Sequence, residues 1–263
     1  MKKLVLLSVC ILIFFAYSAA GFAYSDGKLP SMQLLVSFAV ISYADNKSMN
    51  NSTKNRAQED ADLGNSIIVP SSPYDKFRLN NKKADDDTIG FGMDFRYFHD
   101  NIGIGFQTGY SVARADSEMS NPYRSGSSDR SVTACKLYVV PIVATLFYRI
   151  GLESSKSFVL FGGGLGYYYG RIKFDYEDQT SFYPDDRSFR WYGEQSKIGY
   201  HILIEYDYVF ENDLVIFGGI KGRYVKFDEF KDGNQIRLEY GTNKKLKAGL
   251  TGAVVYFGFG VSS

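Results

Sequence analysis

Residues 88–112 read TIGFGMDFRYFHDNIGIGFQTGYSV, and they restrict the fold more than any other stretch of the chain. Ile89, Phe91, Met93, Phe95 and Tyr97 fall on one parity, and Gly90, Gly92, Asp94 and Arg96 on the other. His99-Asp100-Asn101 interrupts the run. Beyond it Ile102, Ile104, Phe106, Tyr110 and Val112 share one parity against Gly103, Gly105, Gln107, Gly109 and Ser111. Successive side chains of a strand point to opposite faces, so period-two alternation predicts strands. Two such runs around a short polar break predict an antiparallel hairpin.

The make-up of the two faces is unusual. A soluble sheet keeps one apolar face in its core and a mostly charged face in water. Here the second face is glycine with a few charges, while the first carries large aromatics. That pattern fits a membrane barrel, with bulky residues against lipid and small or polar ones in a narrow lumen. Tyr (21), Phe (21) and Gly (26) are abundant across the chain and helical heptads are not, which extends the all-β expectation. A net charge of +1 gives no electrostatic case for a nucleic-acid partner.

The N-terminus reads as an export signal. Met1-Lys2-Lys3 supplies positive charge, Leu4 to Ala16 a short apolar run, and Ser18-Ala19-Ala20 and Gly21-Phe22-Ala23 the small residues of a cleavage site. The run is shorter than the roughly 20 residues a spanning helix needs. The expected division is a signal peptide over 1–23 and a barrel domain over 24–263. Cys10 follows Leu7-Ser8-Val9, but Val9 is too bulky for a lipoprotein box, so Cys10 is assigned to the signal. Cys135 is then alone, and a disulfide scaffold is excluded.

Eight strands are predicted in order. Residues 33–44 form the first, with Leu34, Val36, Phe38 and Val40 on one parity. The opening hairpin gives the second and third. Residues 133–150 form the fourth, with both parities apolar and Pro141 expected to impose a bulge or local edge. Residues 158–174 form the fifth, where Val159, Phe161, Leu165, Tyr167 and Tyr169 alternate with Gly162, Gly164, Gly166 and Gly170. This glycine cluster lacks the GxGxxG spacing of a phosphate loop and any following helix pattern. Glycine facing a crowded interior is the better account. Residues 197–210, 214–227 and 245–259 complete the set. The stretches 45–87, 115–132, 175–195 and 228–243 are expected as long polar loops, while 99–101, 151–157 and 211–213 are short turns. A small hairpin around Ile67-Ile68-Val69 and Phe77 is expected inside the first loop. Asn46 and Asn51 stand in N-x-S/T sequons, chance matches in an Asn/Ser-rich stretch. Alternating long and short connections, with both termini at the short end, are those of an antiparallel ring. Ring closure also removes exposed sheet edges. The predicted fold is all-β: an eight-stranded antiparallel transmembrane β-barrel with long extracellular loops and short periplasmic turns.

The Gly-alternating FGGGLGYYYG of the fifth strand and the terminal LTGAVVYFGF complete a pattern that resembles the small eight-stranded outer-membrane barrels, the OmpA-type and OmpX-type barrel domains. The resemblance covers essentially the whole chain after the signal and rests on pattern, not on a diagnostic motif. Such barrels usually finish on a terminal aromatic; here Phe257 and Phe259 are followed by Gly260-Val261-Ser262-Ser263. The resemblance implies a bacterial outer-membrane location and a non-enzymatic surface protein of the cell envelope. Its role would be envelope integrity, or adhesion or host-factor binding through the loops. Its implied partners are outer-membrane lipid and host or environmental macromolecules, with a monomeric barrel and no cofactor. The alternative is a porin-like narrow channel for ions or small apolar solutes.

Candidate chemistry is sparse. His99 falls in a short turn and His201 on an inward parity. A Ser196–His201 pair, as in lipid-A-processing barrels, is five residues apart and on opposite parities, which is poor geometry for nucleophile and base. Asp85-Asp86-Asp87 reads as a solvated acidic loop, not a metal site. The inward charges are more informative: Asp94, Arg96, His201, Glu205, Asp207, Lys221 and Arg223 are expected to form a lumen charge network. Buried charges must pair, and a ring of this size has room only for side chains or one small ligand. Glu205 with Lys221 or Arg223 is the pair expected, and a plugged lumen follows.

Overall fold

A computed structural model describes residues 32–41, 78–80, 88–120, 130–152, 156–179, 187–234, 239–240, 244–245 and 247–263. The alternation becomes eight long strands: β1 (Met32–Ile41), β2 (Thr88–His99), β3 (Ile102–Ser120), β4 (Arg130–Gly151), β5 (Ser157–Gln179), β6 (Arg187–Val209), β7 (Leu214–Tyr224) and β8 (Gly252–Ser262). Each pairs antiparallel with its chain neighbours, and β1 pairs with β8 from Gln33↔Ser262 to Ile41↔Val254, so the sheet closes into an eight-stranded barrel. Closure pairs the backbone groups of every strand within the ring, the condition for crossing a bilayer with strands. The expected signal peptide and the hairpin around Ile67 and Phe77 lie outside the described residues, as do the sequons and Asp85 to Asp87.

One end of the barrel is tight. Asp100 and Asp213 turn the chain there with φ of 50° and 61°, a left-handed conformation that Asp tolerates better than most residues. Leu152 N donates to Ser157 O at 2.9 Å to close the third short turn. Met32 and Ser263 exchange backbone bonds of 3.1 and 2.9 Å at this same end.

The other end is uneven. β3, β4, β5 and β6 contain 19, 22, 23 and 23 residues, against 10, 12, 11 and 11 for β1, β2, β7 and β8. At about 3.3 Å per residue and a tilt of about 40°, the longest strands rise about 60 Å and the short ones about 28 Å. One half of the ring therefore continues as a tall wall, and residues 78–80, expected as loop, pair as a short strand with its β3 edge from Arg78↔Ser120 to Asn80↔Glu118. Residues 115–120, 130–132, 175–179 and 187–195, expected as loop, are strand. Period-two alternation persists there with different chemistry: Phe174 and Tyr176 turn inward while Lys173, Asp175 and Glu177 turn outward. A polar outer face reads as loop when only apolar alternation is counted.

Pro141 imposes no bulge. β3 and β4 keep one register from Thr108↔Ile142 to Ser111↔Val139, and the ladder lapses between these pairs. Thr108 Oγ1 donates to the Pro141 carbonyl at 2.9 Å across the lapse.

Ile102, Ile104, Phe106, Leu146, Leu165, Ile198, Ile202, Ile204, Ile220, Val255, Phe257 and Phe259 form an exposed apolar band around the outside. Tyr97, Tyr148 and Tyr206 border it toward the short turns, and Tyr167, Tyr200 and Tyr224 toward the tall wall. An apolar band between aromatic girdles is the exterior of a membrane-spanning barrel.

The last connection does not stay outside as a polar loop. After Tyr224 the chain turns inward, with Val225, Phe227 and Phe230 buried against the inner face of the tall wall beside Cys135, Leu137, Ile172 and Phe174. Lys226–Phe227 pairs with Ala248–Gly249, Leu250 N donates to Val225 O at 2.9 Å, and Glu194 exchanges backbone bonds with Lys231 at 2.8 and 3.2 Å. The predicted seventh and eighth strands are accordingly cut to Tyr224 and resumed at Gly252, because this segment leaves the ring to plug it.

Candidate functional site: a charged lumen beneath an aromatic plug

The inward parity of β2 carries Asp94 and Arg96, and that of β6 carries His201, Glu205 and Asp207. Arg96 lies at the centre. Its Nε donates to Asp94 Oδ2 at 2.9 Å, its Nη2 to Glu205 Oε2 at 3.1 Å, and its Nη1 also to Glu205 Oε1. Asp207 Oδ2 stands 3.6 Å from Nη1. The fork of the guanidinium matches the Glu205 carboxylate bidentately, which a lysine could not do. The Phe147 and Phe217 rings lie 4.8 and 5.4 Å from the guanidinium carbon, adding cation–π contact. Arg96 is 1% exposed, so this cluster is fully removed from water.

Glu205 therefore meets Arg96 across the lumen and not Lys221 or Arg223. The register explains it. Glu205 faces Gly219 on β7, while Lys221 faces Leu203 and Arg223 faces His201. The two β7 cations thus start one and two inward positions away from Glu205, toward the tall wall. Lys221 Nζ donates to Gln107 Oε1 at 2.6 Å on the far side of the ring, and Arg223 Nε to the Leu250 carbonyl at 3.2 Å. His201 Nε2 lies 3.0 Å from Thr145 Oγ1, so threonine is its partner and not Glu205. Ser196 is on the opposite face of β6 from His201. His99, expected in the short turn, is the exposed last residue of β2.

Several lumen residues were not singled out from the sequence. Arg149 is buried near the short-turn end, with its guanidinium carbon 4.4 Å from the Phe98 ring and its Nη2 donating to Asp100 O at 2.8 Å. Both parities of β4 are apolar in the middle, which hid Arg149; following the odd parity from Val143 through Thr145 and Phe147 would have found it. Tyr168 and Tyr256 were hidden because inward aromatics resemble lipid-facing ones. The glycines do make room for rings: a Cβ on Gly105 would stand 2.6 Å from Phe147 Cε2, and one on Gly170 2.7 Å from Phe227 Cε1.

The lumen is thus filled in layers. Leu35, Phe98, Phe147, Phe158, Leu160, Val215 and Phe217 belong to one buried apolar cluster, with Phe147 and Phe217 against Arg96 and Phe98 and Phe158 against Arg149, and Phe227 and Phe230 of the plug belong to a second. Above the band, Trp191 is 46% exposed and stacks on Phe174 with centroids 5.9 Å apart. On the outer side Arg171 stacks over Tyr192 at 4.6 Å, and Asp175 links Lys173 to Arg190, the latter at 2.6 Å.

No protein-family model and no curated protein matches the chain. Among solved structures the chain is similar to the attachment invasion locus protein Ail of Yersinia pestis (13% identity, 90% of this chain and 100% of that one, TM-score 0.39). It is also similar to Neisserial surface protein A (11%, 88% and 97%, TM-score 0.38) and to the outer membrane protein OprG from Pseudomonas aeruginosa (12%, 90% and 97%, TM-score 0.43). At these identities and TM-scores the likenesses carry no assignment of activity.

Proposed function

We propose that this chain is a non-enzymatic surface protein of the bacterial outer membrane whose tall half-wall is a recognition surface for host or environmental macromolecules. The observation that carries the reading is the uneven strand length. β3 to β6 run 19 to 23 residues, about twice the roughly 9–11 that crossing requires, while the other four strands stop near that length. The extra length presents ordered surface beyond the apolar band. Its inner face displays an exposed, stacked Trp191 and its outer face Arg171, Tyr192 and Arg190, residue types enriched at recognition sites. The filled lumen supports this reading over a channel. N-terminal export, with cleavage near Ala20 or Ala23, belongs to the same proposal.

The test replaces residues 115–134 and 175–194 with short turns and displays both forms on cells. A shortened barrel that still shows heat-dependent gel mobility but no longer mediates attachment supports the proposal. Unchanged attachment overturns it. Steady single-channel conductance across many insertions would favour the channel instead.

A further inference from the structure

We infer that the barrel interior contains a binding site for a small inorganic anion of halide size, held between Lys221 and Arg223. The two side chains project inward two residues apart on β7 and line a cavity of about 50 Å³. A water-sized occupant needs about 10–15 Å³ by the same measure, so a halide with accompanying water fits. Among the described residues no carboxylate lines this cavity. Its polar wall is made by Ser37, Ser111, Thr108, Gln107 and Tyr256, and its remaining surface by the two cations, glycine and apolar side chains.

The charge arrangement calls for an anion. Arg96 has Asp94, Glu205 and Asp207 around it, with Asp94 engaged at 2.8 Å. Asp94 and Glu205 act on Lys221 only at longer range, and among the described residues no carboxylate comes within ion-pair distance of Lys221 or Arg223. Lys221 uses one donor on the neutral Gln107 amide and lies 5.2 Å from the Tyr256 ring centroid. Arg223 uses Nε on a backbone carbonyl, and its buried Nη2 has no hydrogen-bond partner among the described residues. Two like charges enclosed together are costly unless an opposite charge joins them. The space is provided by sequence: Gly90 and Gly92 put no side chain into the cavity. A Cβ at Gly92 would stand 2.7 Å from Ser37 Oγ, and one at Gly90 3.0 Å from Ser111 Oγ. The alternating glycines of β2 thus leave room where a carboxylate would otherwise have been the simple answer.

The experiment uses the full refolded chain in detergent micelles and follows its thermal unfolding midpoint. Sodium bromide is titrated against sodium gluconate at constant ionic strength, gluconate being too large for the cavity. The expected result is a saturable rise of several degrees at bromide about a hundredfold above half-saturation. It is lost in Lys221→Met and in Gly92→Ala, which fills the cavity. Crystals grown in bromide should show an anomalous peak between Lys221 and Arg223. Identical curves in bromide and gluconate overturn the inference, as does an anomalous map without that peak. A peak without saturable stabilisation means an adventitious ion only and overturns it as well. Where a variant does not fold, the wild-type titration and the map decide together.

Discussion

Replacing Arg96 by methionine should destabilise the barrel more than any other substitution of a charged residue in the lumen. Methionine keeps most of the volume and the contacts to Phe147 and Phe217, so the loss is electrostatic. The guanidinium donates to Asp94 at 2.9 Å and to both Glu205 oxygens, and lies 3.6 Å from Asp207. Hydrogen bonds to charged groups contribute about 1.5–3 kcal/mol each but do not add within one network. Leaving buried carboxylates without their cation costs about 3–5 kcal/mol, and that is the expected loss for Arg96→Met. Arg96→Lys retains the charge and loses the fork, so about 1–3 kcal/mol is expected. Arg96→Met with Glu205→Gln should cost less than the two single changes together, by about 2 kcal/mol. Reversible urea unfolding in detergent, followed by circular dichroism and gel mobility, measures all three. An Arg96→Met barrel within about 0.5 kcal/mol of wild type would refute the reasoning, because the three carboxylates would then be answered by water.

The plug gives a second test. Phe227→Ala should cost about 3–5 kcal/mol and expose residues 225–234 and 247–251 to protease, and Gly170→Val, which drives a methyl into that ring, about 1–3. The two together should cost less than their sum, and strict additivity would mean that Phe227 does not rest on Gly170. On the outer face, Ile202→Arg should cost about 2–4 kcal/mol, whereas Leu152→Arg at the short-turn end should cost about 0–1; equal costs would remove the apolar band from the bilayer. Asp175, above the band, answers to pH. Burial pushes its carboxyl up, but hydrogen bonds from Lys173 and Arg190 outweigh this and hold it below the ordinary range. A depressed carboxyl contributes stability above its unfolded value of about 3.9 and loses it as pH falls through the folded value. Asp175→Asn should therefore cost under about 1 kcal/mol near neutrality and progressively less as pH falls below about 3.9, and a cost independent of pH would refute the link.

The ring was legible because lipid and lumen impose opposite demands on alternate residues. Ile89, Phe91 and Tyr97 against Gly90, Asp94 and Arg96 state those demands directly. The inward parity of the charges followed from the same rule. Their partners did not, because parity assigns a face but not a height. Only the register shows that Glu205 faces Gly219 and that Arg96 reaches it from across the barrel. The tall wall was hidden for another reason: above the bilayer the outward residues answer to water, and Lys173, Asp175 and Glu177 read as loop. The plug was hidden because Phe227 and Phe230 sit among polar neighbours, and burial against a wall built elsewhere in the chain leaves no local periodicity.

The ladders also set an order of assembly. β5 and β6 pair from Ser157↔Tyr208 to Asp178↔Arg187, joined by chain that links them directly, whereas β1 meets β8 only from Gln33↔Ser262 to Ile41↔Val254. Loop-closure entropy is smallest for the nearby hairpins and largest for the strands at opposite ends of the chain. The long hairpins of the tall half can therefore zip early as a curved sheet, while the β1–β8 seam closes late with the shorter ladder. The seam is thus the joint along which the barrel would first part under force.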